Sequence, residues 1–483
     1  MSSNELTITT TSIPGLVVVE LPVHGDNRGW FKENWQREKM LAAGLPDFGP
    51  VQNNISFNGR RGTIRGIHAE PWDKFVSVAT GSIFGAWVDL RQGESFGASV
   101  TIELSPSRAV FVPRGVGNAF QTLEENTAYT YLVNDHWSPE AQSEYSFLNL
   151  ADEAVDINWP IPLDECELSD KDRHHPRLAD VAPIAPAPYL VVGSGGQLGR
   201  ALTHLLKERG IPFHAPDRRE LDLSDPESWK ESYRWRGYRG IINASAMTAV
   251  DAAETPDGRA QAWKVNASGV SALADVAREA GIPLVHVSTD YVFDGQKPQD
   301  QMYTPEDSVA PLSVYGQSKA AGEMAVRAIP RHYLVRTSWV IGEGKNFVGI
   351  MRQLAERGVA PKVVADQQGR PTFAAELADG ILHLLASGAE YGVYHLSNSG
   401  PVITWHELAR EVFRLTGHDP ESVSPTSTAE YFATTSVWAP RPSNSALDLT
   451  AIEKAGFTPK DHREALREYL GGLEVVSGPV DAA

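Results

Sequence analysis

A tyrosine and a lysine four positions apart, Tyr315 and Lys319, follow a Ser288-Thr289-Asp290-Tyr291 block. On a helix, residues i and i+4 share one face. A phenol whose pKa a nearby ammonium lowers can give its proton to a carbonyl oxygen, and the same ammonium can hold a ribose. Thr289 could hydrogen-bond that oxygen. The chemistry is reduction of a ketone by hydride. The spacing alone is common in surface ion pairs, so the weight lies in the order of the blocks. The Ser288 block closes a buried strand at its carboxyl end, where open α/β sheets bind ligands.

A second set lies far upstream, in Arg65, His68 and Lys74 near strand edges. Epimerising a carbon next to a ketone needs a base, a group that stabilises the enolate and an acid on the opposite face. His68 titrates in the right range for the base. Lys74 would hold the enolate charge, Tyr131 would return the proton and Asp172 would orient the His68 ring. Arg28 and Arg65 suit a diphosphate, which arginine binds bidentately. Two other readings stay open on these residues: a structural histidine, and a metal site for which Ile67-His68-Ala69-Glu70 supplies only a fragment.

A third feature would bind a dinucleotide. Gly193, Gly196 and Gly199 give a G-x-x-G-x-x-G turn between a short apolar run, Tyr189 to Val192, and a helix-spaced set, Leu198, Ala201, Leu202, Leu205 and Leu206. A pyrophosphate needs close backbone approach and helix N-terminal N–H groups, which glycines permit. Asp217-Arg218-Arg219 follows the second strand. An acid there suits a ribose 2′-hydroxyl and an arginine a 2′-phosphate, so the reading is NADPH with NADH tolerated.

These side chains need two different scaffolds. Before residue 181 short strand candidates alternate with turn clusters: Leu16 to Leu21, Lys74 to Ala79, Ile83 to Leu90, Ser99 to Leu104 and Ala109 to Val112, with one short helix near Gln36 to Ala43. That rhythm predicts a sandwich or barrel. After residue 188 strands at Gly240 to Asn243, Pro283 to Ser288 and His332 to Arg336 alternate with helices at Ala260 to Ala280 and Lys319 to Ala328. That is the βαβ rhythm of a doubly wound parallel sheet. The prolines of 181–188 predict an extended spacer. The expected domains are therefore 1–180 and 189–472, with a loose tail at 473–483.

With 483 residues the chain exceeds one ordinary core. A net charge of -18 disfavours nucleic acid and anionic membranes as partners. The single cysteine, Cys166, allows no intrachain disulfide. The first residues read as no secretory signal, and no apolar run would span a bilayer, so the expectation is a cytoplasmic protein.

The second half resembles dTDP-4-dehydrorhamnose reductases, an extended branch of the short-chain dehydrogenase/reductase family. The likeness runs through the glycine turn with Gln197-Leu198-Gly199, Glu220 to Asp225, Ile242 to Asp251, Val265-Asn266-Ala267 and Ser288 to Gly295. It continues through Pro311 to Gly316, Arg336 to Trp339, Asp366 to Thr372 and Arg441 to Ser445. The resemblance implies Thr289, Tyr315 and Lys319 as the catalytic trio and a small substrate-binding subdomain. It implies a cofactor held by Gly193, Gly196, Gln197, Leu198, Gly199, Arg218, Asp222, Leu223, Ala244, Ser245, Tyr315 and Lys319. Its sugar-nucleotide positions would be Thr248, Val250, Asp290, Tyr291, Trp339, Asn346, Phe347 and Arg441. Ser245 stands where most members have Ala, and Met247 where they have Tyr or His.

The first half is similar to dTDP-4-dehydrorhamnose 3,5-epimerases, which use a cupin-type jelly roll and no cofactor. Asp26 to Glu33, Gln52 to Ser56, Gly62 to His68, Val88 to Arg91, Val112 to Gly115, Asn158-Trp159-Pro160 and Leu168 to Asp172 carry the likeness. It implies His68, Lys74, Tyr131 and Asp172 as catalytic residues, and Arg28, Glu33, Gln52, Asn54, Arg65 and Asn118 at the substrate. Asn118 replaces a second family histidine, Ala69 an aromatic residue and Trp137 a tyrosine, and the segment from His68 to Lys74 is short.

Joined, the two resemblances are consecutive steps. They imply 3,5-epimerisation of dTDP-4-dehydro-6-deoxy-glucose, then reduction of its C4 ketone to dTDP-L-rhamnose. The nucleotide base rests on resemblance alone. The families imply a homodimer and, for the reductase, an interfacial Mg²⁺ whose ligands are not placed. Three other readings remain at this point: a reductase with a non-catalytic binding or dimerising N-terminal module, a regulatory subunit, or the same chemistry on another nucleotide deoxysugar.

Overall fold

The computed structural model describes residues 5–476, which fall into two compact units, Met1–Pro186 and Ala187–Ala483. The first unit is built of short strands with alternating burial: β1 (Thr7–Thr10), β2 (Val17–Glu20), β3 (His24–Asp26), β4 (Gly29–Phe31), β5 (Gln52–Asn58), β6 (Ile64–Ala69), β7 (Lys74–Thr80), β8 (Ile83–Asp89), β9 (Ser99–Leu104), β10 (Arg108–Val112), β11 (Val116–Thr122), β12 (Thr127–Val133) and β13 (Ser146–Phe147). One sheet has the order β1-β2-β10-β7-β12-β5 and the other β13-β6-β11-β8-β9. From β5 to β8 the chain changes sheet at every strand, and it does so again from β9 to β13. Val76, Val78, Val110 and Tyr129 from one sheet meet Trp87, Leu104, Val116 and Phe120 from the other. The period-two burial thus becomes a sandwich core. Two helices flank it, α1 (Arg37–Ala42) and the single turn α2 (Asp170–Arg173), whose N-cap is Ser169.

The proline-rich segment is not a free spacer throughout. Ile184 bridges Arg91, donating from its N–H to Leu90 O at 2.7 Å and accepting from Gln92 N–H at 2.9 Å. Its side chain packs beside Leu90 and Leu178. The first part of 181–188 therefore belongs to the sandwich, because an isoleucine among prolines can both pair and bury.

In the second unit β14 (Tyr189–Val192), β15 (Phe213–His214), β16 (Gly240–Asn243), β17 (Leu284–Thr289), β18 (His332–Thr337) and the strand Gly392–His395 make one parallel sheet with β15 next to β14 and β14 next to β16. Strand order reverses between β14 and β16, which opens a crevice at their carboxyl ends. Helices α3 (Gln197–Glu208) and α8 (Ala374–Ser387) cover one face through Val191, Leu202, Ile242 and Ile381. Helix α5 (Gly269–Ala280) covers the other through Leu190, Ile241, Leu273 and Leu334. A smaller lobe keeps its own core, where α7 (Phe347–Glu356) and α9 (Trp405–Leu415) contribute Val348, Met351, Leu408 and Val412.

Three sequence expectations need correction. The helix expected over 260–280 begins at Pro256, as α4 (Pro256–Trp263), and passes through a π turn at Lys264–Ser268 before α5. Apolar periodicity runs through such a turn and does not betray it. The helix expected from Lys319 starts at Val314, as α6 (Val314–Arg327), because Ser313 caps it by accepting from Gly316 N–H. The tail expected from 473 is helical to Val476 in the last helix, His462–Val476, and 477–483 lie outside the described residues. No described helix is long and apolar enough to cross a membrane.

Candidate active sites

Arg65 and His68 are three apart on β6, so in a regular strand they would face opposite ways. The pairing of β6 with β11 shifts register between Asn118 and Phe120. That irregularity lets both side chains line one cleft of about 780 Å³, together with Glu70, Lys74, Asn118, Tyr131, Asp172 and His175. Asp172 comes from α2, whose cap fixes it: Ser169 Oγ accepts its N–H at 3.1 Å. His68 Nε2 lies 2.9 Å from Asp172 Oδ1. Burial alone would raise the Asp172 carboxyl, but the hydrogen bond and charge of His68, with His175 behind, hold it below the usual carboxylate range.

Lys74 is fully enclosed, and burial pushes its ammonium down to about 7. The Glu70 carboxylate, four residues earlier across the connection from β6 to β7, pairs with it. The ammonium stands 5.7 Å from the Tyr131 ring centre. Burial raises the Tyr131 phenol and Arg65 opposes that rise. An imidazole on a carboxylate, a buried lysine and a half-buried phenol thus surround one space. Asn118 accepts from Tyr129 OH at 3.2 Å.

The cleft holds one imidazole that the sequence reading missed. His175 Nε2 is 3.7 Å from Asp172 Oδ1, and burial, then His68, lowers its pKa. The signal was available, since His175 follows Asp172 by three residues, just past the end of α2. His68, Asp172 and His175 bring ligand atoms within 4.8 Å of one another, so the converging set that the Ile67 to Glu70 fragment lacked does exist. The direct 2.9 Å contact makes His68 and Asp172 a hydrogen-bonded pair as they stand. Among the described residues no other group of this kind occurs.

Four substrate candidates stand apart from the cleft lining among the described residues. Arg28 pairs with Asp26 on the exposed β3–β4 hairpin. Glu33 pairs with Lys39. Gln52 donates to Asn54 at 2.8 Å along β5.

In the second unit Gly193, Gly196, Arg218, Asp222, Leu223, Ala244 and Ser245 line a cleft of about 460 Å³ at the switch point. A Cβ on Gly199 would collide with the Gly193 carbonyl, and one on Gly193 with the Ser245 backbone, so the turn can only be this tight with glycine. α3 has no side-chain cap, which leaves its first N–H groups for an anion. Arg218 is largely exposed and bonds Asp222 at 3.0 Å; Arg219 pairs with Asp217 instead. The residues therefore fit a dinucleotide with a free phosphate beside Arg218. Leu198 is in the core, and Gln197 accepts from Gly342 N–H at 2.6 Å, fastening the turn to the loop before α7.

Tyr315 and Lys319 share one face of α6, which comes close to the turn after β17 and to the π turn because Gly316 and Gly322 have no Cβ to strike Tyr291 O and Asn266 O. Thr289 ends β17 and its hydroxyl donates to Asp290 Oδ1 at 3.0 Å. The expected lowering of the Tyr315 phenol by Lys319 does not occur. Burial raises it well above the usual range, and only the Thr289 hydroxyl opposes. The reason is direction: Lys319 Nζ donates to Val287 O at 2.7 Å and faces His286.

A second cleft of about 260 Å³ is lined by Tyr291, Phe347, Trp405, Phe432 and Arg441 among others. Asp251 holds Arg441 at 2.8 Å, and the guanidinium lies over the Phe432 ring. Val250 packs with Tyr291 and Tyr315, and Thr248 is exposed. Trp339, at a positive φ of 47°, stacks on Trp405 at 3.7 Å and so backs this cleft. Two candidates are used up internally. Asn346 caps α7 and donates to Gly342 O and Tyr469 OH. Asp290 is buried behind Thr289 and accepts from Ser445.

Comparison with known proteins divides the chain in the same way. The family model described as "dTDP-4-dehydrorhamnose 3,5-epimerase" matches residues 10–180. The one described as "RmlD substrate binding domain" matches 188–475. A protein named as an RmlC homolog from Streptococcus pyogenes is 51% identical over 179 residues, 36% of this chain and 90% of its own length. A dTDP-4-dehydrorhamnose reductase of Mycobacterium tuberculosis is 41% identical over 287 residues, 58% of this chain and 91% of its own. The solved dTDP-4-dehydrorhamnose reductase of Bacillus anthracis, in complex with NADP, is 32% identical with a TM-score of 0.54, covering 59% of this chain and 99% of that one.

Proposed function

Because the chain belongs to the dTDP-4-dehydrorhamnose 3,5-epimerase family through its first unit and to the RmlD reductase family through its second, we propose the following division of labour. The protein is a bifunctional enzyme of dTDP-rhamnose synthesis. It epimerises dTDP-4-dehydro-6-deoxy-glucose at C3 and C5 and reduces the C4 ketone of the product.

In the sandwich, a cupin-type jelly roll that works without a cofactor, His68 takes the proton next to the ketone. Asp172 stabilises the imidazolium this creates. Lys74 holds the charge that moves onto the C4 oxygen. Tyr131 delivers a proton from the other face. Arg65 is placed to meet a phosphate of the nucleotide.

In the second unit the Gly193–Gly199 turn and the α3 N-terminus hold the pyrophosphate, and Arg218 selects the 2′-phosphate of NADPH. NADPH supplies the hydride when bound. Tyr315 protonates the C4 oxygen as the carbon is reduced, with Thr289 bonding the same oxygen. Arg441, held by Asp251, meets the nucleotide sugar above Phe432.

The observation that carries this reading is a base–carboxylate pair, 2.9 Å apart, opening on the same cleft as Lys74 and Tyr131. A scaffold domain would have no use for it. The test is deuterium uptake by dTDP-4-dehydro-6-deoxy-glucose in D₂O without nicotinamide, followed by mass spectrometry. Exchange at both C3 and C5, and dTDP-rhamnose on adding NADPH, are expected. An absence of exchange would leave only the reductase.

The active species is a homodimer in this reading. β5 is an edge strand, and its outward Ile55 and Phe57 are 68% and 63% exposed. Sedimentation at a twofold molecular mass is expected, and a monomer would remove this part of the proposal.

A further inference from the structure

Behind Lys319 lies a buried ladder of polar side chains that no step above uses. Asn243, His286 and Lys319 are each 1% exposed or less. Ser245 N–H donates to Asn243 Oδ1 at 3.0 Å. Asn243 Nδ2 lies 3.0 Å from His286 Nδ1. His286 Nε2 lies 3.2 Å from Lys319 Nζ, which also donates to Val287 O at 2.7 Å.

Donor and acceptor types fix the protons along this ladder. A backbone N–H can only donate, so the atom of Asn243 facing Ser245 is its oxygen. The atom facing His286 is then the amide nitrogen, which can also only donate. His286 Nδ1 must accept, and a neutral ring that accepts at Nδ1 carries its hydrogen on Nε2. That N–H points at Lys319 Nζ. An ammonium has three donors and no lone pair, so the contact would set two donors against each other. A neutral amine has a lone pair for the His286 N–H and still donates to Val287 O. A doubly protonated ring would clash at both ends, and complete burial pushes His286 far below its usual range.

We propose that His286 is a positioning residue that holds Lys319 as a neutral amine in the cofactor-free enzyme. Dinucleotide binding then charges the amine by taking up a proton. This rests on the reductase reading of the second unit. The acids nearby are otherwise engaged. Glu323, one turn along α6, is bound by Arg336 of β18 at 2.7 Å and 3.0 Å. Asp290 is bonded by Ser445 and Thr289. Glu254 accepts from Val314 N–H at the start of α6. Tyr315, one turn before Lys319, keeps its proton. Burial pulls Lys319 down to about 8 against the charge of Glu323, so the amine becomes mostly neutral only above that pH. A ribose and two phosphates entering the cleft supply the acceptors and negative charge that an ammonium needs, so binding and protonation are linked.

The experiment titrates the full-length protein with NADPH calorimetrically at pH 9, where an amine of pKa about 8 is mostly neutral, in two buffers that differ in protonation enthalpy. At that pH the cofactor phosphate, with a second pKa of about 6, holds no titrating proton. The expected result is uptake of a proton on the order of one per bound NADPH. Binding without uptake would overturn the inference and leave the reductase intact; no binding at all would instead remove the reductase reading. Asn243→Asp supplies a carboxylate that accepts from both Ser245 N–H and the ring, which drives His286 into the other tautomer and lets Nε2 accept from an ammonium. NADPH should still bind to this variant, and the proton uptake should vanish. An unchanged uptake would show that the ladder does not govern the proton. His286→Gln, whose amide can turn its oxygen to Lys319, gives the same contrast if the aspartate variant fails to fold.

Discussion

Asp290 sits behind the Thr289 hydroxyl with 2% of its surface exposed, and burial pushes its carboxyl up to about 6. An acid whose folded pKa is raised favours the fold below its unfolded pKa, near 3.8. That contribution is lost as pH rises towards 6. Asp290→Asn removes the buried charge. It should raise the melting temperature of the second unit at pH 7.5 and lose that advantage near pH 4, as read by calorimetry at the two pH values. The catalytic assignments separate as cleanly. His68→Asn should cut deuterium exchange by about 10²–10⁴-fold while reduction of the already epimerised ketone is unaffected, and Tyr315→Phe should do the reverse. At this scale the sequence was legible where chemistry restricts residue type, as at His68, Lys74, Tyr315 and Lys319. It was not legible at His286, which reads in Leu284–Thr289 as one polar interruption of an apolar strand. Nor did it reveal that Asn346 would turn its amide into its own loop. Partners of that kind come from the fold.

Helix α6 depends on a buried ion pair as much as on apolar packing. Arg336 on β18 grips Glu323 of α6 with both fully buried. Replacing such a pair by apolar residues can be neutral, but removing one partner leaves a stranded charge, at about 3–5 kcal/mol. Glu323→Gln should therefore lower the melting temperature of the second unit by about 2–4 °C for each kcal/mol lost, a shift calorimetry resolves. The strands singled out in the sequence were legible because period-two burial and turn residues mark them, and β9 and β14 fall where the pattern predicts, whereas β5, β6, β11 and β12 were not singled out. The helices were less legible. Gly322 approaches Asn266 O within the π turn, a contact that a Cβ would block. A one-residue change of helical period leaves the apolar stripe almost unbroken, so a sequence pattern passes over it.

The two units have separate hydrophobic cores, and the boundary after Pro186 cuts neither. Expressed as two polypeptides divided there, the first should retain deuterium exchange and the second NADPH-dependent reduction of the epimerised ketone, each assayed alone. Loss of exchange from the first piece would mean that its cleft needs the rest of the chain. The division was visible in the change of rhythm and the run of prolines. The pairing of Ile184 with Arg91 was not, because a single bridge has no period.

The lone cysteine lies in the first unit, enclosed beside Ile64, Ala119 and Ile161 under the strands that carry His68, and it accepts from Gln121 Nε2 at 3.1 Å. Burial raises its thiol, so the folded protein should resist alkylation. This makes Cys166 a built-in reporter. A thiol reagent added along a denaturant or temperature series will mark the moment the epimerase half opens and stay silent about the reductase half. The unfolding order of two enzymes on one chain can thus be timed without adding a label.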